Sequence, residues 1–168
     1  MTEGKEMGMQ AIEEATQPVE IAVIGPGRMG SLYARLANEL ANTRLVAVCG
    51  QGEVTALAVA ESLGVPGYTG ARYREMLADH PHIKAVVVAT SEWDHLDPVL
   101  ASLEAGKHVL VEKPMGRSVA ECDRMIEACH RAGICLGVAY YRRFYPVVER
   151  MQQLLQEPGI CISILIKK

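Results

Sequence analysis

Residues 19–30 read VEIAVIGPGRMG, a short apolar run rich in β-branched residues that leads into three glycines spaced G-x-G-x-x-G. The apolar run predicts a buried β-strand, and the spacing of apolar residues from Met29 to about Leu40 predicts a helix directly after the glycines. A strand, a glycine turn and a helix in this order form the fingerprint of a dinucleotide-binding βα unit. The alternative interpretation is a tight βα turn without a ligand.

Each glycine has a predicted task in such a unit. Gly25 allows the sharp turn out of the strand, Gly27 leaves the backbone open to a pyrophosphate, and Gly30 lets the helix pack closely on the sheet. The N-terminus of the helix adds free N–H groups and the positive end of a dipole. The stretch therefore predicts a phosphate-binding turn.

Composition narrows the class of protein. The 168 residues are enough for one well-buried domain and the start of a second. The net charge is −3, and the sequence contains no basic stripe that would indicate binding to nucleic acid. No apolar run approaches the roughly 20 residues that cross a bilayer. Residues 1–18 lack the features of a secretory signal, so we expect a flexible tail on a cytoplasmic protein. The five cysteines include no C-x-x-C pair, and we expect reduced thiols and no metal site.

The order of elements predicts the fold class. Strand and helix patterns alternate six times up to Val138, and the run 84–89 is continuously apolar, as in a parallel sheet covered on both faces. This pattern predicts an α/β fold with a doubly wound, mostly parallel sheet of the Rossmann type over residues 19–144. For residues 145–168, the sequence pattern predicts a linker helix and one apolar strand, 160–166. We interpret that strand as the first of a further domain, in preference to an edge strand or a dimer-forming strand.

Candidate ligand-binding residues follow the predicted strands, because ligands bind open parallel sheets beyond the carboxyl ends of the strands. These residues are the glycine turn, Gly50-Gln51, Thr90-Ser91, Glu112-Lys113-Pro114, and Tyr141, Arg142 and Arg143. Lys113 could donate a hydrogen bond to a substrate hydroxyl or stabilise negative charge there. It could equally be an exposed loop lysine paired with Glu112. Trp93 could shield a ligand or serve packing.

The stretch 105–114 reads AGKHVLVEKP and makes a family resemblance specific. Together with Ala89-Thr90-Ser91, His95 and the run YYRRFYP at 140–146, it resembles the glucose–fructose oxidoreductase and inositol dehydrogenase (Gfo/Idh/MocA) family. The resemblance covers about residues 19–146. It implies an NAD(P)-dependent oxidoreductase that transfers hydride between a nicotinamide and a sugar, cyclitol or related polyol.

The resemblance also implies roles for single residues. Lys113 would be catalytic, beside the nicotinamide and the substrate hydroxyl, and the amides of Arg28 and Met29 would bind the pyrophosphate. Tyr141 and Arg142 would lie close to where two domains meet. The implied cofactor-binding set is Gly25, Gly27, Arg28, Met29, Gly30, Gly50, Thr90, Ser91, His95, Glu112, Lys113, Tyr141 and Arg142.

The sequence departs from the family pattern at two positions near the cofactor. Gly50 and then Gln51 stand where a dinucleotide site usually has Asp or Glu for the ribose 2′-hydroxyl. Without that carboxylate a 2′-phosphate is not repelled, and Arg28 lies in the adjacent turn. NADP is therefore at least as well favoured as NAD, although Glu53 could substitute for the missing acid. Ser91 replaces the usual proline, which we expect to matter little.

The third departure concerns domain content. The family has a second, α+β domain that supplies the substrate pocket and an acid/base residue, and here only its opening strand, 160–166, is predicted. We expect either a fragment of a longer gene product or a natural truncation. We also expect a sugar-like substrate and a homo-oligomer without nucleic-acid or membrane partners. The alternative function is a non-catalytic NAD(P)-binding or sensing module that dimerises through its C-terminal strand.

Overall fold

The apolar run 19–24 forms the central strand of a parallel sheet in the computed structural model, which describes residues 17–156. The strands are β1 (Val19–Ile24), β2 (Thr43–Gly50), β3 (Gly67–Thr69), β4 (Ala85–Val88), β5 (His108–Val111) and β6 (Leu136–Val138). Their order is β3-β2-β1-β4-β5-β6, and every neighbouring pair is parallel. This order is that of the doubly wound Rossmann fold, which confirms the predicted fold class.

Five helices connect these strands. They are α1 (Arg28–Glu39), α2 (Glu53–Leu63), α3 (Tyr73–Asp79), α4 (Leu96–Glu104) and α5 (Val119–Ala132), with a 3-10 helix, Glu92–Asp94, before α4. Helices α1 and α2 cover one face of the sheet, and α3, α4 and α5 cover the other. The topological switch point therefore lies between β1 and β4, where ligands of such sheets bind.

Two apolar cores form because successive side chains of a strand point to opposite faces. On the face of α1 and α2, Val23 and Val87 pack with small residues such as Ala34, which let the helix approach closely. On the other face, Ile24 packs in a cluster with larger residues such as Met76, Leu103 and Met125. The continuous apolar strands follow from burial on both faces.

Local capping signals fix the ends of α5. The Ser118 hydroxyl accepts a hydrogen bond from the Glu121 amide at 3.2 Å, and Gly133 ends the helix with φ +66°. The Glu121 carboxylate bonds the amide of Arg117 at 2.9 Å, and not that of Ser118 as in a complete capping box. This shift by one residue ties Arg117 to the start of the helix.

The described residues divide into two units between Val138 and Ala139, earlier than the predicted boundary after residue 144. The second unit contains a 3-10 helix, Tyr141–Phe144, and helix α6 (Pro146–Leu154). Residues 141–144 belong with α6 because the Tyr145 amide bonds the Arg142 carbonyl at 3.1 Å and the rings of Tyr141 and Tyr145 are in contact.

Some sequence predictions fall on other parts of the chain. The strand 160–166, Cys161 and almost all of the predicted tail lie outside the described residues. None of the helices within residues 17–156 combines the length and the apolar character needed to span a membrane.

The contact between α1 and the glycine turn gives a stability prediction. A Cβ at Gly30 would lie 2.0 Å from the Gly25 carbonyl oxygen, so Gly30→Ala must push the helix away from β1. We expect the free energy of unfolding to fall by about 2 kcal/mol in urea titration. The matched control is Gly137→Ala in β6, where a Cβ would meet its nearest atom at 3.5 Å. Equal losses in the two variants would contradict the prediction.

Candidate dinucleotide site

The glycine turn is tightly packed on one side and open on the other. Gly25 has φ +89°, and a Cβ there would lie 2.4 Å from the amide nitrogen of Thr90, at the end of β4. A Cβ on Gly27 would meet no atom within 4 Å. The first glycine is therefore required by the fold, whereas the second leaves space that a ligand can enter.

The first turn of α1 presents unpaired amides beside that space. The first intrahelical bond runs from the Ser31 amide to the Gly27 carbonyl at 2.8 Å, and Gly27 provides no side-chain cap. Within residues 17–156, the amides of Arg28, Met29 and Gly30 have no hydrogen-bond acceptor. Three free N–H groups at the positive end of a helix dipole form an anion-binding arrangement.

A groove of about 890 Å³ opens at this edge of the sheet, beyond the carboxyl ends of the strands. Its size is that of pockets that hold small organic ligands. Six residues of the predicted cofactor-binding set line it, namely Gly25, Gly27, Arg28, Gly50, Thr90 and Ser91. Met29 and Gly30 contribute amides from the first turn of α1 without lining the groove.

Among residues 17–156, no acidic residue lines the end of the groove beside β2. Gly50, Gln51 and Thr55 line it, and Glu53, the candidate substitute for the missing carboxylate, does not. The Arg28 side chain is exposed, and within the described chain no carboxylate lies within 4.0 Å of its guanidinium. Within residues 17–156, a cationic side chain without a carboxylate partner therefore lines the same groove.

The acidic residues of the groove lie along its other wall, after β4. Asp97 forms an ion pair with Arg74 at 3.5 Å and accepts the Tyr73 hydroxyl. Burial, and then this bond, raise the pKa of Tyr73 to about 12, so that its hydroxyl remains a neutral donor at physiological pH. The charge of Asp97 is thus offset by Arg74, whereas Asp94, which lines the same wall, forms no ion pair within residues 17–156.

Trp93 and Arg117 both line the groove and lie against each other, and of the two only Trp93 is a candidate from the sequence. Trp93 is the single tryptophan of the chain, lines the groove and is 66% exposed, so it does not serve core packing. The Arg117 guanidinium lies 5.9 Å from the Trp93 ring centroid, and its Nε donates to Glu121 at 2.9 Å. This hydrogen bond holds the pKa of Glu121 below its usual range. No local sequence pattern indicates Arg117, because its place depends on how α5 begins.

His95 does not line the groove, in contrast to the role that the resemblance implies. Its side chain is 1% exposed, with Nδ1 2.9 Å from the Pro114 carbonyl oxygen and Nε2 3.2 Å from that of Thr90. The ring therefore bridges the loop after β4 and the loop after β5. Both ring nitrogens of the buried side chain lie at hydrogen-bond distance from backbone carbonyl oxygens, so the ring supports the backbone of Thr90 from inside the protein.

Glu112 is also buried beside the site and does not line the groove. Its Oε1 accepts the Tyr33 hydroxyl of α1 at 2.6 Å, and its Oε2 accepts the Lys113 amide at 3.0 Å. The carboxylate thus fixes the backbone from which Lys113 projects. Lys113 itself is exposed, and within residues 17–156 its ammonium forms no ion pair with Glu112. Lys113 does not line the groove, and its catalytic role stays a prediction.

Tyr141 and Arg142 belong to the second unit, in its 3-10 helix. Their predicted place beside the cofactor stays a prediction. The sequence predicts a place near the ligand because Tyr141 and Arg142 follow the sixth predicted strand.

Comparison with known proteins decides the family. The model of the Gfo/Idh/MocA oxidoreductase family, described as having an NAD-binding Rossmann fold, matches residues 19–140, more than half of the chain. The chain belongs to the Gfo/Idh/MocA family. This confirms the resemblance carried by the glycine turn and the stretch 105–114.

Two curated relatives and one solved structure illustrate the Gfo/Idh/MocA match. The chain is 32% identical to D-xylose 1-dehydrogenase (NADP(+)) 2 of Haloferax volcanii, over 84% of this chain and 43% of that protein. It is 31% identical to myo-inositol 2-dehydrogenase of Thermotoga maritima, over 84% of this chain and 42% of that protein. GenD2 from gentamicin A biosynthesis, solved in complex with NAD, aligns with a TM-score of 0.77 at 27% identity, over 84% of this chain and 40% of that one. The chain thus spans less than half the length of these family members.

The buried contact between Tyr33 and Glu112 gives a second prediction. Tyr33→Phe removes a donor from a buried carboxylate, so we expect the free energy of unfolding to fall by about 1–3 kcal/mol. Urea denaturation at pH 7 measures the change. The matched control, Tyr68→Phe, removes a hydroxyl 2.8 Å from the exposed Asp79 carboxylate and should have a smaller effect. An equal or larger effect of the control would contradict the prediction.

Proposed function

We propose that the groove binds a nicotinamide dinucleotide, with NADP(H) preferred to NAD(H), and serves hydride transfer to or from a sugar, cyclitol or related polyol. The observation that carries this proposal is the set of three free amides, Arg28 to Gly30, beside the open space at Gly27. Membership of the Gfo/Idh/MocA family supports it. The names of two relatives, a xylose and an inositol dehydrogenase, support the substrate class.

The described residues fit a dinucleotide along the groove. The free amides of α1 would bind the pyrophosphate, and the edge from Gly50 to Thr55 would receive the adenosine. Thr90 and Ser91 at the end of β4 would contact the middle of the cofactor, and Lys113, which follows β5, would meet its nicotinamide end. Each group follows the carboxyl end of a strand in one sheet, so a single extended ligand can reach all of them.

The preference for NADP(H) rests on charge at the β2 end of the groove. A carboxylate there would repel a 2′-phosphate, and the described lining contains none at that end. Arg28 is exposed and forms no ion pair within residues 17–156, so it can make a charge-assisted hydrogen bond to such a phosphate. The relatives do not decide between the two cofactors, since one is named for NADP(+) and another was solved with NAD.

Lys113 is the proposed catalytic residue. Its ammonium is exposed and without an ion pair in residues 17–156, and its backbone is held by the Glu112 carboxylate. A bound nicotinamide supplies the acceptor or donor of the hydride. As the carbinol carbon gives up its hydride and its hydroxyl proton passes to a general base of the kind that the family's second domain supplies, Lys113 would donate a hydrogen bond to the oxygen and stabilise its negative charge.

Cofactor binding is measured by quenching of the single tryptophan. Trp93 lines the groove, so bound NADPH should quench its emission and accept its excitation energy, with a Kd in the micromolar range. NADH should bind about tenfold more weakly. Gly27→Ala should weaken both cofactors because its methyl group occupies the open side of the turn, and Gly137→Ala should not. The absence of quenching by either cofactor at millimolar concentration would overturn the proposal.

The role of Lys113 is tested by reduction of NADP⁺ with D-xylose or myo-inositol. Lys113→Ala should lower kcat by about 100-fold or more while Trp93 quenching by NADPH is unchanged. Lys113→Arg should restore part of the rate, and Lys84→Ala, at the opposite edge of the sheet, should leave the rate unchanged. Unchanged kcat and KM in Lys113→Ala would refute the role. Cofactor binding without turnover, by a stable dimer, would favour the non-catalytic module.

A further inference from the structure

Pro26 is packed against the last residue of β2. It lies between the first two glycines of the turn and is buried. A Cβ built on Gly50 would lie 2.6 Å from Pro26 Cδ and 3.0 Å from Pro26 Cγ, with Ala56 Cβ of α2 at 3.2 Å. Distances under 3.0 Å are essentially never found for real Cβ atoms. Position 50 therefore has no room for a side chain while the proline ring is in place.

The proline ring cannot move aside easily. Proline has no freely rotating side chain and a fixed φ, so relief would require movement of the backbone. That backbone is held by the Gly25 amide on the Cys49 carbonyl at 2.8 Å and by the Gly27 amide on the Gly25 carbonyl at 2.8 Å. The Ser31 hydroxyl donates to the Pro26 carbonyl at 2.9 Å. The turn is thus anchored on both sides of the ring.

The packing of Pro26 against Gly50 affects the charge of the groove at its end beside β2. The end of β2 is where dinucleotide-binding folds place the carboxylate that binds a ribose 2′-hydroxyl. With position 50 limited to glycine, the residues that line the groove from the end of β2 into α2 are the uncharged Gly50, Gln51, Gly52 and Thr55, and Arg28 lines the same groove. Within residues 17–156, the acidic lining residues Asp94 and Asp97 follow β4, so the end beside β2 presents no carboxylate to a 2′-phosphate.

We propose that Pro26 is a specificity-determining residue, which excludes a carboxylate from position 50 and thereby keeps the groove open to the 2′-phosphate of NADP(H). The inference rests on the proposed function and adds the physical reason for its cofactor preference. A change at position 50 alone cannot reverse that preference. Reversal requires that Pro26 be replaced by a residue that can yield space.

The test compares the wild-type chain with Gly50→Asp, Pro26→Ala and the double variant P26A/G50D. Tm is measured for each, together with the Kd of NADPH and of NADH from Trp93 quenching. Gly50→Asp should lower Tm by about 5 °C in the wild-type background, and by clearly less in the Pro26→Ala background. Relative to Pro26→Ala, the double variant should shift the ratio of the two Kd values by about tenfold or more toward NADH.

A neutral isostere separates charge from size. P26A/G50N has the shape of the double variant without its charge, so its Tm should match that of P26A/G50D while its Kd ratio stays close to that of Pro26→Ala. If Gly50→Asp does not fold, the loss of stability has the expected direction and exceeds the expected size. The two double variants then still give the Kd ratios.

The outcomes distinguish this inference from the proposed function. If Gly50→Asp lowers Tm equally in both backgrounds, or reverses the cofactor preference alone at unchanged Tm, the role of Pro26 is overturned while cofactor binding stands. If the double variant keeps the Kd ratio of Pro26→Ala, the role is likewise overturned. If none of the proteins binds either cofactor, the proposed function fails, and the specificity claim fails with it.

Discussion

The close approach of the glycine turn to the ends of β1 and β4 is the constraint on which the rest of the structure depends. At Gly25 and Gly30 a single Cβ would overlap backbone atoms at 2.4 and 2.0 Å. This approach brings the N-terminus of α1 to the topological switch point of the sheet. Free amides of the helix, open space at Gly27 and the carboxyl ends of the neighbouring strands thus meet at one edge, which is why a phosphate-bearing ligand suits it.

Buried polar groups hold the loops at that edge in place. His95 links the loops after β4 and β5 through two carbonyl groups, and Glu112 links α1 to the backbone of Lys113. Among the described residues, no buried side-chain nitrogen or oxygen lacks a hydrogen-bond partner. Because an unpaired buried polar group is costly, these satisfied contacts define one arrangement of the loops. The result is a fixed support from which Thr90, Ser91 and Lys113 reach the surface.

The two ends of the groove differ in their electrostatics. The end beside β2 is lined by uncharged residues, whereas the wall after β4 contains Asp97, which is bonded to Tyr73 and Arg74, and Asp94. The amides at the N-terminus of α1, and Arg28 in its first turn, are therefore the groups that favour an anionic ligand there. The described unit belongs to a Gfo/Idh/MocA chain that spans 43% and 42% of the length of two dehydrogenase relatives.

The sequence by itself determined the elements, their order and the edge at which a ligand would bind. Strand β1 covers the apolar run before the glycines, and α1 begins and ends within one residue of the predicted helix, because periodicity and end signals act over a few residues. Only the tertiary structure decided that His95 and Glu112 face inward, that Arg117 reaches Trp93, and that Pro26 fills the space beside Gly50. The direction of a side chain depends on neighbours from distant parts of the chain, and no local pattern encodes those contacts.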